Sequence, residues 1–277
     1  MIKIENTEIV GWEAAIRGMR NPMNSWDKND SGYCHRDLMR DCATCVHHST
    51  GYSACAAGGF DVGPKDYGLM MRLRNTGTDH RKFMRMITVY LDITAPLYWW
   101  KEFKTYRAGK RFGDDEPSVI DEGYLEYDIE MNSCSTMHKI SDKEFTLEDF
   151  SCEHLTSLGI HIMNDVISTM NAYRRFFNDW DNIDDNSKNA WRLICKKDAW
   201  WQMIQLLPSS YNQRRTVMLN YEVLTNIYKS RYNHRLDEWC EFRKWIEGLP
   251  YSELITGKEK EPTFSDYIST ETYRSGK

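Results

Sequence analysis

Leu207-Pro-Ser-Ser-Tyr-Asn-Gln-Arg-Arg-Thr-Val-Met-Leu-Asn220-Tyr-Glu-Val-Leu-Thr-Asn226-Ile-Tyr-Lys-Ser-Arg231 changes its period half-way along. Leu207-Pro208 stops whatever helix precedes it, and Thr216 to Leu219 has strand character. Asn220 then suits the cap of a helix that carries Leu224, Ile227 and Tyr228 on one face. A strand that runs directly into a capped helix is the junction around which the rest of the chain is read. On that helix Asn226 and Arg231 lie five residues apart, about 140° around the axis at about 3.6 residues per turn, so they project to different sides. One helix is thereby able to serve two ligands. Asparagine offers donor and acceptor to an uncharged ring, and arginine forks onto a phosphate or a pyrimidine carbonyl. The plainer alternative makes Asn220 a cap and Arg231 a solvated charge at a helix end.

Upstream of the junction, a helix is expected from Ser187 to about Leu206. Before it, Leu155, Leu158, Ile162, Val166, Met170, Tyr173 and Phe177 follow the period of a long amphipathic helix with Ser151 as its cap. Downstream, residues 235 to 247 form another amphipathic helix, and the polar stretch from Thr256 reads as a loose tail. In the first half, Pro64 opens a helix that Asn75-Thr76-Gly77 stops. Phe83 to Thr94 alternates as a strand, and Pro96 starts a helix through Tyr106. Phe112 to Met131 carries eight acids and no base, and reads as an inserted hairpin or lid with one wet face. The stretch up to Gly63 is punctuated by turn signals at Asn21-Pro22, Asp30-Ser31-Gly32 and Gly58-Gly59. Strands embedded among longer helices give a helix-rich α/β (α+β) class. The expected organisation is one domain over residues 1–255, with 112–131 inserted and 256–277 as the tail.

The 277 residues include 36 Lys and Arg against 41 Asp and Glu, a net charge of −5, which offers no global attraction for DNA or an anionic membrane. The longest apolar candidate, Met84 to Trp100, is interrupted by Arg85 and Asp92, so no membrane span is expected. The first residues lack a basic segment followed by an apolar one; a cytoplasmic protein with reduced cysteines is expected. Cys34-His35, Cys42-x-x-Cys45 and His47-His48 bring together soft ligands of the kind zinc takes, but their spacing fits no finger and no second C-x-x-C exists, so no metal is expected. Cys134, Ser135 and His138 lie close enough in sequence for a nucleophile and its base. Short polar side chains in such a loop satisfy backbone groups just as readily. No G-x-S-x-G elbow and no phosphate-binding glycine loop is present.

Two separated segments together resemble the flavin-dependent thymidylate synthases. The first runs from Gly77-Thr-Asp-His-Arg-Lys-Phe83 through Asp92-Ile-Thr-Ala-Pro96-Leu-Tyr-Trp-Trp-Lys-Glu-Phe-Lys-Thr-Tyr-Arg107, and is similar to the strand, proline and helix that lead into that family's R-H-R signature. The second is the 207–231 junction, which keeps the family's Leu-Pro, Asn, Leu, Asn and Arg in an ungapped register. The resemblance implies an α/β fold, a homotetramer with sites formed between subunits, and FAD as cofactor, with NADPH and methylenetetrahydrofolate as co-substrates. It implies that Asn220 and Asn226 contact FAD, that Arg231 holds a pyrimidine nucleotide, dUMP, and that His80 and Arg107 lie at the flavin. The loop Asn132 to Met137 is similar to the family's N-E-x-S-x-R, which puts Ser135 beside the nucleotide. Glu102, in the helix before R-H-R, joins the substrate contacts, and Arg231 and Ser135 are the residues expected to take part in the chemistry.

The chain departs from that pattern at defined places. R-H-R has become Thr105-Tyr106-Arg107, the glutamate of the serine loop is Ser133, its arginine is Met137, and the arginine four residues before the Leu-Pro proline is Ile204. Two cationic forks are therefore absent. At roughly 1.5 to 3 kcal/mol per charge-assisted bond, their loss costs on the order of 10²-fold in affinity unless Arg81, Arg85, Arg214 or Arg215 compensates. Three readings follow: dUMP methylation, a catalytically altered protein that binds or sequesters a nucleotide on the same scaffold, and an enzyme that hydroxymethylates a pyrimidine nucleotide.

Overall fold

A computed structural model describes residues 2–33, 59–106 and 129–257. In chain order its principal elements are β1 (Lys3–Val10), α1 (Trp12–Arg20), β2 (Gly32–Tyr33), β3 (Phe60–Asp61), α2 (Pro64–Thr76), a 3₁₀ turn (Lys82–Met86), β4 (Thr88–Pro96) and α3 (Leu97–Phe103). Then come β5 (Glu130–Ser133), α4 (Thr136–Lys139), α5 (Ser157–Asn178), α6 (Asp185–Ala190), α7 (Lys196–Leu206), β6 (Asn212–Asn220), α8 (Tyr221–Ser230), α9 (Asp237–Glu247) and α10 (Glu253–Thr256). The larger sheet has the order β1-β4-β6-β5, and β2 pairs antiparallel with β3. The class is helix-rich α+β, as the sequence predicts.

The chain divides into two compact units. One comprises Met1–Ile4, Ile93–Thr105 and Asn132–Thr216; the other comprises Glu5–Asp92, Tyr106–Met131 and Val217–Lys277, each within the described residues. In the first, α3 buries Trp99, Trp100 and Phe103, whose rings pack edge-on or stacked at 4.8 to 5.4 Å. A second cluster joins Phe145, Phe150, Ile167, Met170 and Met203, so that α5 lies along α7. Asn171 stitches this cluster to the chain, donating to the Phe145 carbonyl and accepting from the Phe145 amide, both at 2.9 Å.

In the second unit, Trp12 meets Tyr221 and Tyr251 edge to face at 5.4 and 5.1 Å. Around them Ile16, Met70, Leu224, Ile227, Leu254 and Ile255 are fully buried. Arg20 donates to the buried Asp66 carboxylate at 2.6 Å, and the other oxygen of Asp66 accepts from the Ser31 hydroxyl and the Asp30 amide. Gly11 precedes α1 with φ +93°, and a Cβ there would sit 2.1 Å from the Met86 carbonyl oxygen, so both conformation and space require glycine.

Several elements differ from expectation for local reasons. Ahead of its turn signals the N-terminal stretch holds β1 and α1, and the strand is hard to read from sequence because apolar Val10 is exposed while Ile9 is buried. Phe83 to Met86 form a 3₁₀ turn that buries two consecutive residues, Phe83 and Met84, and the strand begins only at Thr88. The long helix is capped by Thr156, whose hydroxyl accepts from the Gly159 amide, and the Ser151 hydroxyl is instead donated to Asn212 at 2.9 Å. The helix expected from Ser187 to Leu206 is two helices. Asp184 caps the first, and Arg192 turns to φ +54° between them. Asp198 then accepts from the amides of Ile194 and Cys195 at the start of the second. Of the hairpin expected at 112–131, residues 112–128 lie outside the described residues, as do residues 258–277 of the tail expected at 256–277 and the whole cysteine-histidine cluster.

Candidate functional site

The junction is built as its sequence directs. β6 alternates buried Gln213, Arg215, Val217 and Leu219 with more exposed neighbours, and Asn220 ends it in an extended conformation. The Asn220 Oδ1 accepts from the Val223 amide at 3.0 Å, so the residue is a helix cap, and it is buried. The capping alternative therefore describes its oxygen, while its Nδ2 stays available for another acceptor. One and a half turns on, Asn226 is half-buried, and its side-chain amide makes no hydrogen bond among the described residues.

Arg231 closes α8 and is not a solvated end-of-helix charge. Its guanidinium lies over the rings of Tyr106, at 4.9 Å, and Trp239, at 4.4 Å. These two rings meet edge to face at 5.6 Å and form an aromatic corner. One edge of the fork approaches His234, with Nη1 2.9 Å from Nε2. A cation held on two aromatic faces gains about 0.5 to 2 kcal/mol per face and keeps its charge, since arginine does not give up its proton.

At the other end of α8, Glu222 is buried and paired with buried Arg81 through two 2.8 Å contacts. Arg74, whose Nε and Nη2 donate to the Leu254 and Ile255 carbonyls at the end of α10, lies near the same pair. Burial, and then the positive charges of Arg81 and Arg74, hold the Lys229 ammonium below its ordinary range, with Glu222 opposing them. Three cations thus gather around one carboxylate. Arg81 is committed to Glu222, which removes it from the residues able to replace a missing cationic fork. His80, next to it, is exposed.

In the other unit, Ser135 is exposed and caps α4: its Oγ accepts from the His138 amide at 3.2 Å and lies 3.1 Å from His138 Nδ1. The loop that carries it is held by Gln213. The Gln213 amide donates to the Cys134 carbonyl at 3.0 Å and to the Thr136 hydroxyl at 2.7 Å, while its oxygen accepts from Arg215 Nε and Nη2. Arg215 in turn lies 4.4 Å over the Trp100 ring, and the Trp100 indole donates to the Gln213 carbonyl. Burial lowers the pKa of the Arg215 guanidinium, but not enough to discharge an arginine. Arg214 and Arg85 are exposed. Glu102 is half-buried on α3, and Arg107 lies outside the described residues.

The two sets contain the predicted residues in their own units: His80, Asn220, Asn226 and Arg231 in one, Glu102 and Ser135 in the other. Sequence reasoning missed Gln213, Glu222, His234 and Trp239. The spacing of Gln213 and Arg215, two apart on one face of β6, was a readable signal. The partner of Glu222 lies 141 residues away, and no local pattern announces it. Among the described residues no group of three or more His, Cys, Asp or Glu is placed to hold a metal ion.

No family model and no curated protein matches the chain by sequence. Its fold is that of thymidylate synthase X. The chain is similar to the crystal structure of ThyX from Helicobacter pylori with FAD and dUMP, at 14% identity and a TM-score of 0.52, with 92% of this chain and 97% of that chain covered. A second structure of the Helicobacter pylori flavin-dependent enzyme, also complexed with FAD and dUMP, gives 13% identity and a TM-score of 0.50 over 92% and 96%. The likeness of fold extends over most of both chains. No helix among the described residues is long and apolar enough to cross a membrane.

Proposed function

We propose that the chain binds FAD and a pyrimidine nucleotide, and that it methylates dUMP with methylenetetrahydrofolate and NADPH. The observation that carries this reading is α8: Asn220 and Asn226 present amide groups along it, and Arg231 closes it as a cation fixed on Tyr106 and Trp239. The amide of Asn226, half-buried without a partner among the described residues, fits the edge of an uncharged ring with both donor and acceptor. FAD, when bound, supplies the redox chemistry, and the protein supplies orientation and charge. Arg231 offers a planar fork to a pyrimidine carbonyl or phosphate, and its positive charge stabilises negative charge that develops on the ring. The Ser135 hydroxyl, held by the Gln213-braced loop, gives a neutral donor and acceptor to the same class of ligand. A homotetramer belongs to this proposal. The exposed apolar residues Leu158 and Ile162 on α5 support an assembled state.

The test is anaerobic. Addition of NADPH should bleach a bound flavin, and dUMP with methylenetetrahydrofolate should restore the colour and yield a product in which a methyl group replaces one ring hydrogen. A product heavier by a hydroxymethyl group assigns the hydroxymethylating chemistry instead.

One observation favours a second reading, a nucleotide-binding protein without synthase chemistry. Arg81 is spent on Glu222, which leaves fewer cations to replace the two absent forks. Calorimetry with a panel of nucleotides separates the readings: tight binding by a flavin-free protein favours the binder.

A further inference from the structure

Glu222, Asn226 and Lys229 are spaced four and three apart on α8, which puts them within about 60° of one another around its axis. This face is crowded with positive charge. Arg81 is buried against Glu222 through its two 2.8 Å contacts. Arg74 donates to neutral oxygens: Nε and Nη2 to the Leu254 and Ile255 carbonyls, and Nη1 to the Asn75 side-chain oxygen at 2.9 Å. Gly257, at φ +73°, passes so close that a Cβ there would strike this guanidinium, which fixes its place. Such neighbours set the direction of Arg74 and do not cancel its charge. Long side chains on a helix lean toward its N-terminal end. The exposed Lys229 ammonium accordingly lies within the influence of Arg81, Arg74 and Glu222, and it makes no ion pair or hydrogen bond among the described residues.

Arg74, Arg81 and Lys229 stand here against the one carboxylate of Glu222, a surplus of two positive charges in a chain whose net charge is −5. A lysine in the last turn of a helix is ordinarily explained by the helix dipole. That accounts for Lys229 and gives no reason for two arginines to be gathered beside it. Like charges partly withdrawn from water repel one another, so an arrangement of this kind is relieved by a bound anion. The diphosphate of a dinucleotide carries two negative charges, which matches the surplus. Arg81 and Arg74 are directed at their own partners, whereas the Lys229 ammonium has three donors and reaches solvent. Lys229 is therefore the contact, and the two arginines supply the field.

We propose that Lys229 is a phosphate-binding residue: its ammonium, with Arg74 and Arg81 behind it, takes the diphosphate of the dinucleotide whose ring edge meets Asn226. The inference rests on the reading of Asn226 as a flavin contact, and its test separates the two. Binding of inorganic diphosphate, FAD and riboflavin to the full-length protein, freed of bound ligand, is measured by calorimetry for wild type, Lys229→Gln and Lys229→Arg. Glutamine removes the charge from an exposed position, and arginine keeps it. The expected result is about tenfold or more weakening of diphosphate and FAD for Lys229→Gln, affinities within about threefold of wild type for Lys229→Arg, and riboflavin, which has no phosphate, bound equally by all three. FAD bound as tightly by Lys229→Gln as by wild type overturns the proposal and leaves the flavin reading standing. Riboflavin weakened as much as FAD also overturns it, because the lysine then acts on the ring and not on a phosphate. Should diphosphate bind in a Lys229-dependent way while neither flavin binds, the flavin role of Asn226 falls, and Lys229 stands as a phosphate-binding residue.

Discussion

Three residues of α8 carry different loads, and substitution separates them. Asn220→Ala removes a cap and should cost about 1 kcal/mol of stability, read as a lower melting temperature. Asn226→Ala deletes an amide with no partner among the described residues. It should leave the melting temperature nearly unchanged while lowering the flavin content of the purified protein; unchanged flavin content would return Asn226 to the protein surface. Arg231→Ala should weaken dUMP binding by roughly 2 to 3 kcal/mol, and it should also cost about 1 kcal/mol of stability, because its aromatic corner loses the cation. Unchanged affinity would reduce Arg231 to a structural cation. At the buried pair, Arg81→Met or Glu222→Gln alone should destabilise by about 3 to 5 kcal/mol, since each strands an opposite charge. The double variant should recover much of that loss. If the three denaturation free energies simply add, the two residues do not act as a pair.

At the scale of elements, the short helix α10 and its preceding turn impose an alkaline limit. Burial, reinforced by the nearby Asp61 carboxylate, pushes the Tyr251 hydroxyl up to about 12 from an ordinary 10, against the Val62 amide that donates to it at 3.0 Å. Tyr221, fully buried beside it, is pushed up as well. The folded state keeps these protons where the unfolded chain releases them, so the stabilisation is whole below about pH 10 and is lost as pH rises toward 12. Tyr251 alone accounts for about 2 kcal/mol of that loss. Tyr251→Phe should flatten the decline between pH 10 and 12, measured by denaturant midpoints, and an equally steep decline would assign the effect elsewhere. Elements with local signals were legible. Pro64 and Gly77 bound α2, and Asn220 starts α8. Less legible was the 3₁₀ turn at Lys82–Met86, whose apolar residues run on into those of β4 and so read as one strand. The break between α6 and α7 was hidden because the apolar residues Trp191, Leu193 and Ile194 continue through it. In the candidate site, the amides and Arg231 were legible because they share one helix. The Gln213 brace and the Glu222 pair depend on residues distant in sequence.

On the whole-molecule scale, the fold is shared with ThyX over nearly its full length although only about one residue in seven is identical. Such a fold survives because burial pattern and capping fix it more than particular side chains do. The periodic stripe of α5 is instructive: Met170 and Ile167 are buried in the core, whereas Leu158 and Ile162 are 68% and 55% exposed. A stripe that continues past the core is expected where subunits meet. Leu158→Lys with Ile162→Lys should lower the assembly state in sedimentation and leave the helical signal intact; an unchanged sedimentation coefficient would show that this face takes no part. The central claim, that α8 holds a flavin and a nucleotide, is tested most directly by the visible absorption spectrum of the freshly purified protein, before and after incubation with FAD and removal of the excess. A retained flavin band that shifts on addition of dUMP is the predicted result. A folded protein that stays colourless after that incubation contradicts it.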